Sequence, residues 1–551
     1  MNMNKANALQ ESSFPAMVSH PYTLSVEACK KLRQYNFLAL LACIMVQMLI
    51  DASIQNFTSV LTVFFASLIT VSMAVRADIV RLAPLPALIV VGFNVATMSG
   101  ALVAQTLDLR PLVYNLTVPE YTFPAFVLFQ AALLLALFFF TKISFFFNIS
   151  KAVNLNLFTP LGLMKAPLPI QIWIMGAIGL IAIIMSTDFN QNVKFGDAGG
   201  KFIPGFNYLA FAPFLLPALP HIFANNANYL SIKKNYKFLL PYFAILVIIG
   251  ISANTRGGFS GPIANLGLLL GLLFVLGQLI ITKTVRRWLM ACAMLILLGS
   301  TVISDLAVAM LVVRGERESS TATELVAKTF NAFQSKKELK AYVKSQKEST
   351  GMGDYEEDYI SNLFLARLIV TKFTDNMLSL NDVRNGRRAD VVWDVTKKTM
   401  IALLPTPVLK FFGSNLDKDN LRFSMGDVLY AAQNGIGMGT YKLGSSVAHG
   451  VALMGLVSFM VVIPIFLAVF VAAQSLTLLR NNRVVFSPVI LLQLIALYYI
   501  SIGDSFFDPV NFLSRTLPQT IFIYVLVFQF SRLIIFLAGS IWNPKRKISS
   551  Y

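Results

Sequence analysis

Charge is scarce in this chain, and histidine and cysteine are nearly absent. Only 13% of its 551 residues are Asp, Glu, Lys or Arg, against roughly a quarter in a soluble domain. A surface with so little charge faces something other than water. The three histidines and three cysteines show no spacing that suits a metal. Cys29, Cys43 and Cys292 lie in or beside apolar runs, so no disulfide is expected in the polar stretch 314–449. The chain also lacks a phosphate-binding glycine loop and a nucleophile elbow. No metal and no cofactor is expected.

What is present is apolar. Hydrophobic residues make up 56% of the chain, Phe alone numbers 45, and the mean hydropathy is +0.67. A net charge of +18 raises nucleic acid as a partner. The basic residues instead cluster in short loops between apolar runs, the pattern of a membrane protein. The lipid bilayer is therefore the expected surroundings, and nucleic acid is not an expected partner.

A span needs roughly 20 apolar residues. Runs of that kind fall at 35–51, 57–75, 84–106, 124–141, 167–186, 207–224, 238–253, 262–282, 287–313, 450–474, 485–502 and 517–541. The expectation is an all-α polytopic membrane protein of about twelve helices, with one large loop between the ninth and tenth. Alternate short loops hold thirteen Lys/Arg (Arg76, Arg81, Lys142, Lys151, Lys165, Lys233, Lys234, Lys237, Lys283, Arg286, Arg287, Arg480, Arg483). The opposite loops hold five: Arg110, Lys194, Lys201, Arg256 and Arg515. By the positive-inside rule the first set is cytoplasmic. The expected organisation is a cytoplasmic tail over 1–34, nine spans over 35–313, a periplasmic or extracellular loop over 314–449, three spans over 450–541 and a cytoplasmic tail over 542–551. The apolar run starting near Tyr35 follows a polar tail, so no cleaved signal peptide is expected.

The loop is not a plain linker. It carries nineteen Lys/Arg and sixteen Asp/Glu, with helical patterns over 324–347 and 358–376. Residues 399–412 are apolar but too short to span, and Pro405 and Pro407 break a helix there. An interfacial or re-entrant piece is expected.

Several positions could carry chemistry. Asn254-Thr255-Arg256-Gly257-Gly258 places an arginine at a tight turn before a helix, where a guanidinium and free N–H groups suit phosphate; a short loop with one snorkelling arginine is the plainer reading. Arg384, Arg387 and Arg388 stand among Asp382, Asp390 and Asp394, and Arg367 and Lys372 precede Asp375. Such clusters bind polyanions or form solvated surface pairs. His449, where the loop meets the next span, can act as a general base or cap a helix. Asp504 and Asp508 would share a face of a helix and could serve as a base or hold a divalent ion, although capping and turn formation account for them.

Taken together, Asn254-Thr255-Arg256-Gly257, Arg367 with Lys372-Phe373, Arg384 through Asp390 ahead of Pro405, and Ser445 through Leu456 resemble bacterial Wzy-type polymerases, which join the repeat units of O-antigens and exopolysaccharides. In the related O-antigen ligases the histidine stands further ahead of its Gly-Leu than His449 does of Gly455-Leu456. The resemblance implies an enzyme of the bacterial inner membrane acting on undecaprenyl-pyrophosphate-linked oligosaccharides, with a chain-length regulator as a partner. It implies that Arg256, Arg367, Lys372, Arg384, Arg387 and Arg388 hold pyrophosphate or sugar, and that Arg256 and His449 serve catalysis, His449 as the base. A transporter and a ligase are the competing readings.

Overall fold

The structure is a computed structural model. It describes residues 21–542 except 187–202, 224–235, 253–256, 280–286, 288–304, 307, 314–321, 350–356, 363–365, 367, 381–388, 405, 414–415, 417, 419–420, 422, 435–441 and 481. Among these residues the fold is helical throughout, apart from one antiparallel hairpin that pairs Thr477–Arg480 with Arg483–Phe486.

Seven described helices are long and apolar enough to cross a membrane: Pro21–Ile50, Ile54–Ala74, Pro84–Leu107, Pro119–Lys142, Pro169–Ser186, Val457–Gln474 and Asp508–Leu537. Three shorter apolar helices, Ile203–Leu215, Tyr236–Ile251 and Gly261–Val275, accompany them. The expected twelve continuous spans are thus not all present as drawn from the sequence. The run at 485–502 is a strand followed by the short helices Pro488–Leu491 and Leu494–Tyr499. The run at 207–224 is a 3-10 helix, Ile203–Leu215, ahead of Leu219–Ile222; Pro213, Pro217 and Pro220 cannot supply the N–H groups an α-helix needs. The first helix, conversely, is described from Pro21 and takes in residues 21–34 of the expected polar tail. Most of the run at 287–313 lies outside the described residues.

Prolines set the starts of three spans. Pro84 and Pro119 occupy the first turn, where a missing N–H costs nothing, and Pro169 opens its helix in the same way. Gly455 ends the helix Ser446–Met454 with φ of 58°, a conformation that favours glycine, and Val457–Gln474 starts afresh beyond it. Phenylalanine does two jobs. Phe93 stacks on Phe129 at 4.8 Å, and Phe129 meets Phe466 edge-on at 6.2 Å, so the three helices that carry them share an aromatic core. Phe65, Phe138, Phe522 and Phe536 instead point outward, as lipid-facing residues do.

The loops that hold Arg81 and Arg483, assigned by charge to one side, meet at one end of the bundle. Arg81 donates to the backbone and side-chain oxygens of Asn482 at 2.7 and 2.6 Å. Gln278 donates to Val484 at 3.0 Å. This end is called the hairpin face. At the opposite end, the loop face, Gln47 and Asn56 accept from the Leu112 N–H at 2.8 and 3.0 Å, and Gln47 donates to the Arg110 carbonyl at 2.9 Å. Those bonds bind the first three long helices together at one rim.

The polar loop is folded and fastened to that rim. Its first described part is helical, Ala322–Gln334 and Lys336–Ser349. Further on, Asp358 pairs with Arg110 at 3.3 Å, Gln105 donates to the Tyr359 carbonyl at 2.7 Å, and the Tyr359 hydroxyl donates to Leu112 O at 2.8 Å. Asp108 accepts from the Ser361 N–H and hydroxyl at 2.8 and 2.7 Å. Two loop helices, Thr371–Ser379 and Ala389–Ile401, then pack against Ser446–Met454, and Met425–Asn434 packs against both of them.

Candidate functional site

The helix Thr371–Ser379 is the part of the loop set deepest. Val370 donates its N–H to Ala96 O at 2.9 Å, and the Thr371 hydroxyl donates to Thr97 O at 2.9 Å. Ala96 lies inside the Pro84–Leu107 helix, about 16 Å along the axis from its Leu107 end at 1.5 Å per residue. The acceptor carbonyls are there because Val95–Ser99 is a π-helical turn, which leaves backbone groups outside the regular ladder. The loop therefore re-enters the bundle, at Thr371 rather than in the 399–412 segment. That segment divides into the end of Ala389–Ile401 and a short helix, Thr406–Phe411, with Phe411 and Phe412 strongly exposed.

All eight residues from Thr371 to Leu378 are buried although their sequence is polar. The polar groups are partnered. Asp375 accepts from the N–H groups of Thr117 at 2.7 Å and Val118 at 2.9 Å and from the Thr122 hydroxyl at 3.1 Å. Those donors open the Pro119–Lys142 helix, whose N-terminal dipole favours a carboxylate. Lys372 lies 3.4 Å from Asp375 and also donates to the Asn115 carbonyl. Lys372 is thus a buried structural cation, in place of the pyrophosphate ligand the resemblance implies.

His449 is fully buried. The Phe506 N–H donates to its Nδ1 at 3.1 Å, and Ser505 Oγ lies 3.2 Å from the same atom. A backbone N–H on Nδ1 fixes that nitrogen as acceptor and leaves the ring proton on Nε2. Nε2 then donates to Thr396 Oγ1 at 3.0 Å, and the Thr396 hydroxyl donates to Val392 O at 2.6 Å. Burial pushes the pKa of His449 down to about 3, so the ring is neutral. Both nitrogens are engaged, and the ring joins the Ala389–Ile401 helix to the bend at 503–507 instead of facing an opening.

Asp504 and Asp508 do not share a helix face: Asp504 sits in a bend and Asp508 opens the four-residue helix Asp508–Asn511. The Asp504 carboxylate accepts from the Met425 N–H and from Gly444 at 2.6 Å, closing the start of Met425–Asn434. Burial raises its pKa, and those N–H groups oppose the rise. Asp508 accepts from the Ser505 N–H at 3.0 Å. Among the described residues no group of His, Cys, Asp and Glu is arranged to hold a metal.

The face of Ala389–Ile401 turned away from His449 is open. Asp390, Trp393, Asp394 and Lys397 line a cleft of about 460 Å³. Trp393 rests partly on the core, Lys397 lies over its ring at 5.8 Å, and Asp394 pairs with Lys398 at 2.6 Å. This cleft has only a faint signature in the sequence: Trp393 is one of four tryptophans, with acidic neighbours at helical spacing. Arg256, Arg367, Arg384, Arg387 and Arg388 lie outside the described residues. Arg388 directly precedes the helix that carries the cleft.

The helices and their composition define an all-α, membrane-embedded protein. No family model, no curated protein and no solved structure matches the chain.

Proposed function

We propose that the protein polymerises undecaprenyl-pyrophosphate-linked oligosaccharide repeat units at the outer face of the bacterial cytoplasmic membrane, with both termini in the cytoplasm. The observation that carries this reading is the Asp390–Trp393–Asp394 cleft, held on a loop that is itself anchored in a lipid-embedded bundle. An indole face flanked by carboxylates suits a sugar, which presents C–H groups to a ring and hydroxyls to acceptors. The run Arg384–Arg388 leads straight into that helix and brings cations for a pyrophosphate.

In this reading the hydroxyl of the incoming unit attacks the anomeric carbon of the growing chain. The anomeric C–O bond to pyrophosphate breaks, and the lipid pyrophosphate leaves with the electron pair. Arg256 and the Arg384–Arg388 run balance its charge, and Arg367 takes part in binding. Asp390, exposed and without an ion-pair partner among the described residues, takes the acceptor's proton. His449 and Thr396 position its helix. Positioning and charge compensation supply the rate where the leaving group is already good.

Deletion of the gene tests the reading. Single repeat units, flipped and transferable, should remain while long chains vanish. Long chains stranded on the lipid carrier indicate a ligase instead, and precursor trapped in the cytoplasmic leaflet indicates a transporter. Trp393→Ala should shorten or abolish the polymer at unchanged protein level.

A further inference from the structure

A groove of about 420 Å³ opens between the Pro21–Ile50 and Ile54–Ala74 helices, lined by Arg33, Asn36, Phe65, Leu68, Ile69 and Ser72, with Val71 beneath. Phe65 and Ile69 are 57% and 52% exposed and, with Leu68 and Ser72, repeat at helical spacing, so they form one lipid-facing wall.

Among the described residues, the polar end of the groove carries groups without a partner. Neighbouring basic residues are engaged: Lys31 with Glu27 at 2.6 Å, Arg76 with Asp78 at 2.8 Å, and Arg81 with Asn482. Arg33 has no hydrogen bond or ion pair among the described residues, and neither has Lys30 one turn before it. The Asn36 amide nitrogen is buried without an acceptor. A buried N–H left unpaired costs free energy, so an acceptor from outside the chain fits this position.

Depth narrows the ligand. Arg33 lies about 26 Å along the helix from Ile50, at 1.5 Å per residue, close to the roughly 30 Å thickness of a hydrocarbon core. It therefore stands at the hairpin-face rim, where phospholipid phosphates lie. Two cations without a partner among the described residues favour a headgroup with net negative charge over one carrying its own ammonium.

We propose that this groove binds one anionic phospholipid, its phosphate on Arg33 and the Asn36 amide and an acyl chain along Phe65, Leu68 and Ile69. The site is remote from the loop face and does not depend on the polymerase reading. Native mass spectrometry of the full-length protein, released from nanodiscs of mixed phosphatidylglycerol and phosphatidylcholine, should show preferential retention of phosphatidylglycerol. Arg33→Ala should weaken that retention roughly five-fold, the factor one basic residue near anionic lipid provides. Asn36→Asp, which replaces the donor with a negative charge, should weaken it at least as much. Leu49→Ala, on a lipid-facing surface outside the groove, should leave it unchanged. Equal retention of the two lipids, or wild-type retention in the Arg33 and Asn36 variants, overturns the proposal. Displacement of the lipid by millimolar inorganic phosphate also overturns it, since that marks a plain anion site.

Discussion

The Lys372 ammonium and the Asp375 carboxylate stand 3.4 Å apart within a helix whose first eight residues are all buried. The two partners are not equal. Asp375 retains two backbone N–H donors and a hydroxyl without the lysine, whereas Lys372 retains only one carbonyl without the aspartate. Removing one member of a buried pair costs about 3–5 kcal/mol. Asp375→Ala should sit at the top of that range and Lys372→Met well below it. Thermal unfolding of the purified variants measures the order, and a greater loss from Lys372→Met would contradict the geometry.

His449 ties stability to pH. Its folded pKa of about 3 lies below the ordinary 6.5, so the unfolded chain binds a proton that the folded chain rejects. The contribution is complete above pH 6.5 and is lost as pH falls toward 3. Between pH 7 and 5 it amounts to about 2 kcal/mol. The melting temperature should drop over that interval, and the drop should shrink in His449→Gln, which does not titrate. An identical pH response in both proteins argues against a buried neutral imidazole.

Gly444 has no room for a side chain. A Cβ there would lie 2.5 Å from Asp504 Oδ1 and 2.8 Å from the Gly426 nitrogen, whereas one at Gly267 meets nothing within 4 Å. Gly444→Ala should displace Asp504 from the start of Met425–Asn434 and destabilise by about 1–3 kcal/mol, as overpacking does. Gly267→Ala should be silent or mildly stabilising, since alanine is the better helix former. Paired denaturation curves decide it.

Arg256 carries the sharpest functional expectation. Loss of a charge-assisted bond to phosphate costs about 1.5–3 kcal/mol. Arg256→Ala should therefore sharply reduce polymer without changing protein level, and Arg256→Lys should restore part of it, lacking the bidentate fork. Normal long-chain polymer from the alanine variant removes Arg256 from the reaction.

Orientation is open to direct labelling. In a cysteine-free background, Lys398→Cys should react with a membrane-impermeant thiol reagent in intact spheroplasts, and Arg480→Cys only after lysis. The reverse pattern would invert the membrane placement and remove the proposed outer-face site with it.

The sequence by itself determined that the chain lives in lipid, where most long helices run, and which loops share a face. Those properties follow from local sums, of apolar residues over about 20 positions and of charges in short loops. Tertiary structure decided the rest. Residues 485–502 have a span's hydropathy, yet Val485 and Phe486 pair in a strand and the rest breaks into short helices, with Asn265 bonding the Leu491 carbonyl and the Ile495 N–H between them. Thr371–Ser379 has the composition of a solvated helix. It is buried because Asp375 and Thr371 find backbone partners just ahead of Pro119–Lys142 and within Pro84–Leu107, more than 250 residues away in sequence. The role of His449 turned on the same kind of distance. A histidine at a loop-to-span junction reads as a base until Phe506 and Thr396, from opposite sides, occupy its two nitrogens. Partners so remote in the chain leave no local pattern, and only packing brings them together.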